Sequence, residues 1–296
     1  MVREASLAGR GSVKPKRLTG IMHSSDIRLS VALVTCNRPD SLERALASLH
    51  AQSVPPFEVI VSDDSGMEWA EATRAVVAKY GCTYYSGAHR GLYANRNAAA
   101  QQCRGTHIRT MDDDHILPPD HLDKCLQAVS TDPNAIWTTG EIGYLQGQLV
   151  DSAEVANQLG PSGVGERIRN PDDNWGIADG STIYPRDVFD RGFRMVEDFG
   201  FGSSYLEFGA YLYANGWRCR CVPGVKIEHH ASMRSMPDPL SIVFASLCFN
   251  VYFRPNFLRL SRYLLPHWRR LPVLPNLLQN ARRRWGGLRL RPCAST

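Results

Sequence analysis

Between Leu29 and Val129 the chain alternates four times between a short apolar run and an amphipathic stretch, and the apolar runs stop on polar clusters. Leu29–Cys36 (L-S-V-A-L-V-T-C) reads as a strand buried on both faces. Pro39 opens a helix on which Leu42, Ala45, Leu46 and Leu49 recur at helical spacing, with Asp40 or Ser41 expected as its cap. A second strand, Phe57–Val61, ends in Ser62-Asp63-Asp64-Ser65-Gly66, and Trp69–Tyr80 follows as a helix. Cys82–Tyr85 and Leu92–Cys103 repeat the pair. Thr106–Met111 then runs into Asp112-Asp113-Asp114-His115, ahead of the helix His121–Val129. Such alternation predicts an α/β fold, a Rossmann-like, mostly parallel sheet flanked by helices. Sheets of this kind bind ligands outside the carboxyl ends of their strands. Thr35–Arg38, Asp63-Asp64 and Asp112–Asp114 are therefore expected on one rim.

After Gly140 the pattern loosens. Tyr144–Asn174 is polar, glycine-rich and too long for a simple connection, which suggests a substrate loop or lid. Regular structure resumes near Ile177–Tyr184, a helix is expected over Tyr205–Asn215 with Gly216 closing it, and short strands over Trp217–Val222 and Val225–Glu228 precede His229-His230.

From Pro239 to Thr296 there is no Asp or Glu, while Arg occurs ten times among Leu, Trp and Tyr. Prolines at 255, 266, 272 and 275 cut this region into short pieces. It divides the chain into a leader (1–27), a main domain (28–235) and a basic amphipathic extension (236–296). The extension reads as a helical cap on the preceding domain or as a peripheral contact with anionic lipid at the inner face of a membrane; a nucleic-acid patch is the weakest reading, and no nucleic acid is expected as partner. No run reaches the roughly 18–20 apolar residues that cross a bilayer. The leader lacks an apolar signal region, and the eight scattered cysteines show no zinc-type spacing. A cytoplasmic setting follows as the expectation.

The residues that promise chemistry are the acids behind the fourth strand. Asp112 and Asp114 offer carboxylates at i and i+2, suited to a hard cation such as Mn²⁺ or Mg²⁺ that takes oxygen ligands together with substrate phosphates. The plainer reading of these acids is a turn that caps the next helix.

At these residues the chain resembles the nucleotide-sugar glycosyltransferases of the GT-A fold, family 2. The resemblance runs in order through V-A-L-V-T-C-N-R, V-I-V-S-D-D-S-G, H-R-G-L-Y-A-N-R-N, R-T-M-D-D-D-H-I-L-P, L-E-F-G-A-Y-L-Y-A-N-G-W-R and P-G-V-K-I-E-H-H, from about Leu29 to Arg234. It implies a UDP-type nucleotide-sugar donor and a hydroxyl acceptor, whether glycan, lipid-linked or small molecule. By position, Thr35, Cys36 and Arg38 would wall the nucleoside pocket and Asp64 would accept from the base. Arg90 would lie against base or phosphates, and Asp113 near the ribose. Asp112, Asp114 and His229 would hold the metal.

The chain departs from that family where many members carry two leading acids, one of them the base that deprotonates the acceptor. Here Ser204 and Tyr205 stand in those places and only the trailing acid, Glu207, remains. Glu207 is the first candidate for the base, Asp198 or the adjacent Glu197 the next, and an acid from the 141–174 loop the third. An inverting displacement is expected; a retaining mechanism and a non-catalytic donor-binding relative stay open. A sugar nucleotidyltransferase would need a glycine-rich phosphate loop after the first strand, where this chain has T-C-N-R-P-D.

Overall fold

A computed structural model describes residues 24–232, 236–265 and 272–287. Nearly all of the leader, and the stretch around Pro266, lie outside the described residues. Eleven strands and nine α-helices are formed among them. The first half is β1 (Leu29–Thr35), α1 (Pro39–His50), β2 (Glu58–Asp63), α2 (Met67–Lys79), β3 (Thr83–Ser86), α3 (Leu92–Gln102), β4 (His107–Asp112), β5 (His115–Ile116) and α4 (His121–Thr131). Then come β6 (Ile136–Leu145), β7 (Gln148–Ala153), β8 (Asn157–Leu159), β9 (Gly165–Arg167), β10 (Thr182–Pro185), α5 (Asp187–Asp190), α6 (Ser204–Ala214) and β11 (Cys219–Ala231). The extension forms α7 (Pro239–Leu247), a π-helical turn at Cys248–Phe253, α8 (Phe257–Leu264) and α9 (Leu274–Trp285).

The main sheet runs β3-β2-β1-β4-β10-β6-β11-β5, with β7 also paired to β6. Strands β3, β2, β1 and β4 are mutually parallel, as is the β6–β11 pair, while β10, β5 and β7 pair antiparallel. All seven residues of β1 are buried. Val31 and Leu33 pack with α1 and α4 on one face, and Ala32 and Val34 with α3 and α6 on the other. That two-sided burial is why Val31–Val34 at the centre of β1 reads as a continuous apolar run. Truncating a side chain such as Leu33 costs about 2–5 kcal/mol.

The register aligns the strand ends. Thr35 pairs with Asp63 and Val34 with Asp112, so three carboxyl ends lie side by side. Strand order reverses about β1, which puts the ligand-binding crevice there.

Two expectations change. Helix α1 carries no side-chain cap; Arg38 stands at its N-cap and Pro39 leads the helix. The expected loop over 144–174 is mostly two hairpins, β6–β7 and β8–β9. The first turns on Gln146 and Gly147, both with positive φ, a two-residue hairpin turn.

The extension packs back on the domain. Phe244, Phe249, Leu260, Leu277 and Trp285 share a core with Leu206 and Ala210 of α6. No described helix is long and apolar enough to cross a membrane.

Candidate active site

The strand ends open on a cavity of about 900 Å³ whose lining includes Thr35, Cys36, Arg38, Asp64, Asp112, Asp114 and His229. Six of the nine expected donor and metal residues thus meet Asp114 at one opening.

The loops after β1 and β2 are tied together: Ser65 Oγ accepts from the Asn37 backbone at 2.7 Å, and Asn37 Oδ1 from that of Gly66 at 2.8 Å. Asp63 is buried and spent locally, accepting from the Ser65 backbone and the Tyr84 hydroxyl. Asp64 points into the cavity instead and accepts from the His89 backbone at 2.9 Å. A Cβ on Gly87 would come within 2.1 Å of Asp64 Oδ1, so only glycine leaves this carboxylate room.

The three consecutive acids divide. Asp112 is gripped by Arg96, which donates through Nη2 to both carboxylate oxygens at 2.7 and 2.5 Å and also pairs with Asp179. Burial alone would raise the Asp112 carboxyl, but Arg96 holds it down at about 2. Asp113, expected near the ribose, is fully buried and is not among the residues that line the cavity. It accepts from Thr35 Oγ1 at 2.6 Å and pairs with Arg38, so it orients that arginine rather than a ligand. Burial pushes its carboxyl up to about 7 against the pull of Arg38. Asp114 pairs through Oδ2 with Arg38 at 2.9 Å.

Asp114 Oδ1 remains without a hydrogen bond and faces two imidazoles, 3.7 Å from His229 Nε2 and 3.9 Å from His115 Nε2. One ligand atom from each of these three residues lies within 4.8 Å of the others. Each imidazole has its other nitrogen engaged: His115 Nδ1 lies 3.1 Å from the Gly180 carbonyl, and His229 Nδ1 2.7 Å from Glu141 Oε1. Such partners fix the ring and turn Nε2 toward a cation. Burial keeps His115 neutral, with its pKa lowered. Its Nε2 has no hydrogen bond and is buried. Two orphaned atoms converging with a carboxylate-backed histidine fit a divalent cation, with Asp112 held at the edge by Arg96.

Gly180 makes that corner possible. Its φ of 76° disfavours any side chain, and a Cβ would lie 2.7 Å from both Asp112 Oδ2 and His115 Cε1.

Other expected residues fall elsewhere. Arg90 does not line the cavity; its exposed guanidinium pairs with Glu197 at 3.1 Å. Asp198 is exposed and off the cavity too. Glu207 is wholly buried and accepts from Arg284 Nε at 2.8 Å and Trp285 Nε1 at 2.6 Å, a clamp between α6 and α9. It does not line the opening that a base must reach. The acids that do line the cavity from the 141–174 segment are Glu141 and Asp151.

Sequence reasoning passed over His115, Arg96 and Asp179. His115 follows the acids directly, and Asn95-Arg96-Asn97 is a polar triplet in an otherwise alanine-rich helix. A buried arginine there needs acidic partners, and that need was the available signal.

The profile of the family described as Glycosyl transferase family 2 matches residues 30–193, more than half of the chain. The chain belongs to glycosyl transferase family 2. The matched span includes the cavity residues Thr35, Cys36, Arg38, Asp64, Asp112 and Asp114 but not His229. An uncharacterised glycosyltransferase of Bacillus subtilis, YwdF, is 28% identical over 106 residues, 36% of this chain and 39% of that protein. One of Haemophilus influenzae is 30% identical over 110 residues, 36% of each chain. The match thus spans little more than a third of either relative. Among solved structures, GalNAc-T7 with UDP, GalNAc and Mn²⁺ superposes with a TM-score of 0.67 at 14% identity, over 88% of this chain and 54% of that one. Residues 1–349 of S. aureus TarS with UDP-GlcNAc give 0.61 at 15% identity, over 88% and 82%. These likenesses establish the GT-A fold.

Proposed function

We propose that this family 2 enzyme moves a sugar from a UDP-type nucleotide-sugar donor to a hydroxyl acceptor, with inversion, at a divalent-cation site held by Asp114, His115 and His229. The observation that carries the reading is the convergence of those three side chains beside a slot lined by Thr35, Cys36, Arg38 and Asp64. That GalNAc-T7 holds UDP and Mn²⁺, and TarS holds UDP-GlcNAc, supports the donor class. Two imidazoles with one carboxylate favour Mn²⁺ over Mg²⁺, because Mg²⁺ prefers oxygen.

When bound, the cation would act as a Lewis acid that neutralises the departing diphosphate. The chain's own groups do the rest. Asp64 accepts a hydrogen bond from the base, and the loop around Cys36 covers its face. Arg38, held through all three guanidinium nitrogens by Asp113 and Asp114, presents its partly exposed positive charge to the phosphates. Asp112, kept ionised by Arg96, borders the cation and the donor sugar.

Asp151 is the base in this reading. It lies opposite Gly143, which lies opposite His229, so it stands two strand spacings, roughly 10 Å, from that histidine. A donor sugar fits between them, and Asp151, exposed and without an ion pair among the described residues, accepts from the Ser152 backbone through Oδ1 and keeps Oδ2 for the acceptor proton.

A thermal-shift screen of nucleotide sugars with and without Mn²⁺ tests the donor reading, since a ligand bound only by the native state raises Tm. A UDP-sugar should raise Tm with Mn²⁺ present, and Asp114→Ala with His229→Ala should abolish both shift and turnover. Turnover that survives the double substitution overturns the reading. Proton NMR of the first product decides inversion.

A further inference from the structure

The cavity has two chemical halves, and the donor occupies only the polar one in the reading above. The other half is one face of the ribbon β7-β6-β11. Successive side chains on a strand alternate faces, so Glu141, Gly143 and Leu145 of β6 point the same way. All three line the cavity, as do His229 and Ala231, which pair with Gly143 and Leu145 across β11. On β7 the register shifts between Gly143 and Tyr144, and Val150 turns onto this same face: a Cβ on Gly143 would lie 3.7 Å from Val150 Cγ2.

Along that face polarity falls with distance from the cation corner. Glu141 and His229 come first, then Asp151 across Gly143, then Leu145, Val150 and Ala231. Val150 is 56% exposed, and Phe201, which also lines the cavity, is 39% exposed. Phe201 is not on a loose loop. Its carbonyl accepts from the Asp238 backbone at 2.6 Å, Asp238 Oδ2 accepts from the Gly200 backbone at 3.2 Å, and the Tyr93 hydroxyl donates to the Gly202 carbonyl at 2.7 Å. A pinned, exposed phenylalanine and an exposed valine on one cavity form a surface that a purely polar molecule would leave unburied.

Resting on the donor reading, we infer that the acceptor carries an apolar group, alkyl, acyl or aryl, and that this group seats on Leu145, Val150 and Phe201. Leu145 lies two residues past Gly143, roughly 7 Å along the strand. The apolar group therefore begins about that far from the hydroxyl that faces Asp151, with a short polar stretch such as one sugar ring between them. Specificity then has two parts: the ribbon's base selects the nucleophile and its tip selects what the nucleophile is attached to.

Calorimetry on the full chain loaded with UDP and Mn²⁺ tests this, using n-octyl β-glucoside below its micelle-forming concentration against methyl β-glucoside. The octyl compound is expected to bind at least tenfold more tightly, since several methylenes leave water. Val150→Asn and Phe201→Asn, both at exposed positions, should each shrink that margin severalfold without moving Tm or the affinity for UDP and Mn²⁺. Equal binding of the two glucosides, no binding of the octyl compound, or an unchanged margin in both variants overturns the inference. Failure of UDP to bind overturns the donor reading instead, and the octyl–methyl comparison on nucleotide-free protein then decides the wall by itself.

Discussion

At the scale of single residues, the cation corner is governed by what each histidine does with its second nitrogen. Burial opposes protonation of His229, but the hydrogen bond to Glu141 and the charges of Asp114 and Asp112 push its pKa from 6.5 up to about 9. In the cation-free protein His229 is therefore protonated at neutral pH. Its stabilising contribution is complete below about 6.5 and disappears as pH rises through about 9. A cation must displace that proton, so Mn²⁺ affinity should rise about tenfold per pH unit up to pH 9 and flatten above it. Calorimetry between pH 6 and 9 reads the slope, and a flat profile would remove His229 from the ligand set. His115→Ala should weaken Mn²⁺ binding by a further ten- to hundredfold. Gly180→Ala adds a methyl where φ is positive and space is absent; about 2–3 kcal/mol of stability and most of the Mn²⁺ affinity should go with it.

At the scale of elements, the proposed base differs from the acid that the family resemblance points to first. Glu207 sits where family members keep a trailing acid, yet α9 claims it. Glu207→Gln leaves Arg284 buried without its counter-charge and should cost about 3–5 kcal/mol of stability. Enzyme that remains folded should keep its kcat. Asp151→Asn should do the reverse, leaving Tm unchanged and lowering kcat by at least about a hundredfold. Denaturation and steady-state rates on the same two variants separate clamp from base, and a kcat loss confined to Glu207→Gln would restore Glu207 as base. These roles divide by what sequence can carry. β1, β2 and β4 are legible because two-sided burial demands apolar runs and the polar clusters mark their ends. Ribbon β6–β7 is not, because its outer strand is exposed and its Gln146-Gly147 turn lacks the Asn-Gly or Asp-Gly signature. His115 comes within 4.8 Å of Asp114 and His229 only through a tight turn that aims consecutive side chains at one point. Glu207's partner lies 77 residues away, beyond any local pattern.

At the scale of the whole molecule, charge is partitioned more sharply than the net +5 suggests. Ten arginines and no acid lie from Pro239 onward, so the chain up to Asp238 is net negative. Part of this basic region is spent inward, as Arg284 on Glu207 shows. What remains outward is amphipathic. On α8 and just past it Phe257, Leu258 and Leu265 are 69%, 88% and 71% exposed, and Arg262 shares the 258–265 face. Leu258, Ser261, Arg262 and Leu265 follow helical spacing, the pattern of a helix lying on a lipid surface rather than spanning it. An acceptor with an apolar group would be met at such a surface. The full chain should therefore sediment with vesicles containing phosphatidylglycerol and not with phosphatidylcholine alone. Each basic residue near the anionic surface contributes about 1 kcal/mol, so binding should weaken steeply between about 0.1 and 0.5 M salt as the screening length shrinks. Leu258→Asp, a change at a fully solvated position, should abolish sedimentation with Tm and donor binding intact. Sedimentation with neither lipid would confine the extension to its packing against α6, and equal sedimentation with both would remove the electrostatic attraction from the account.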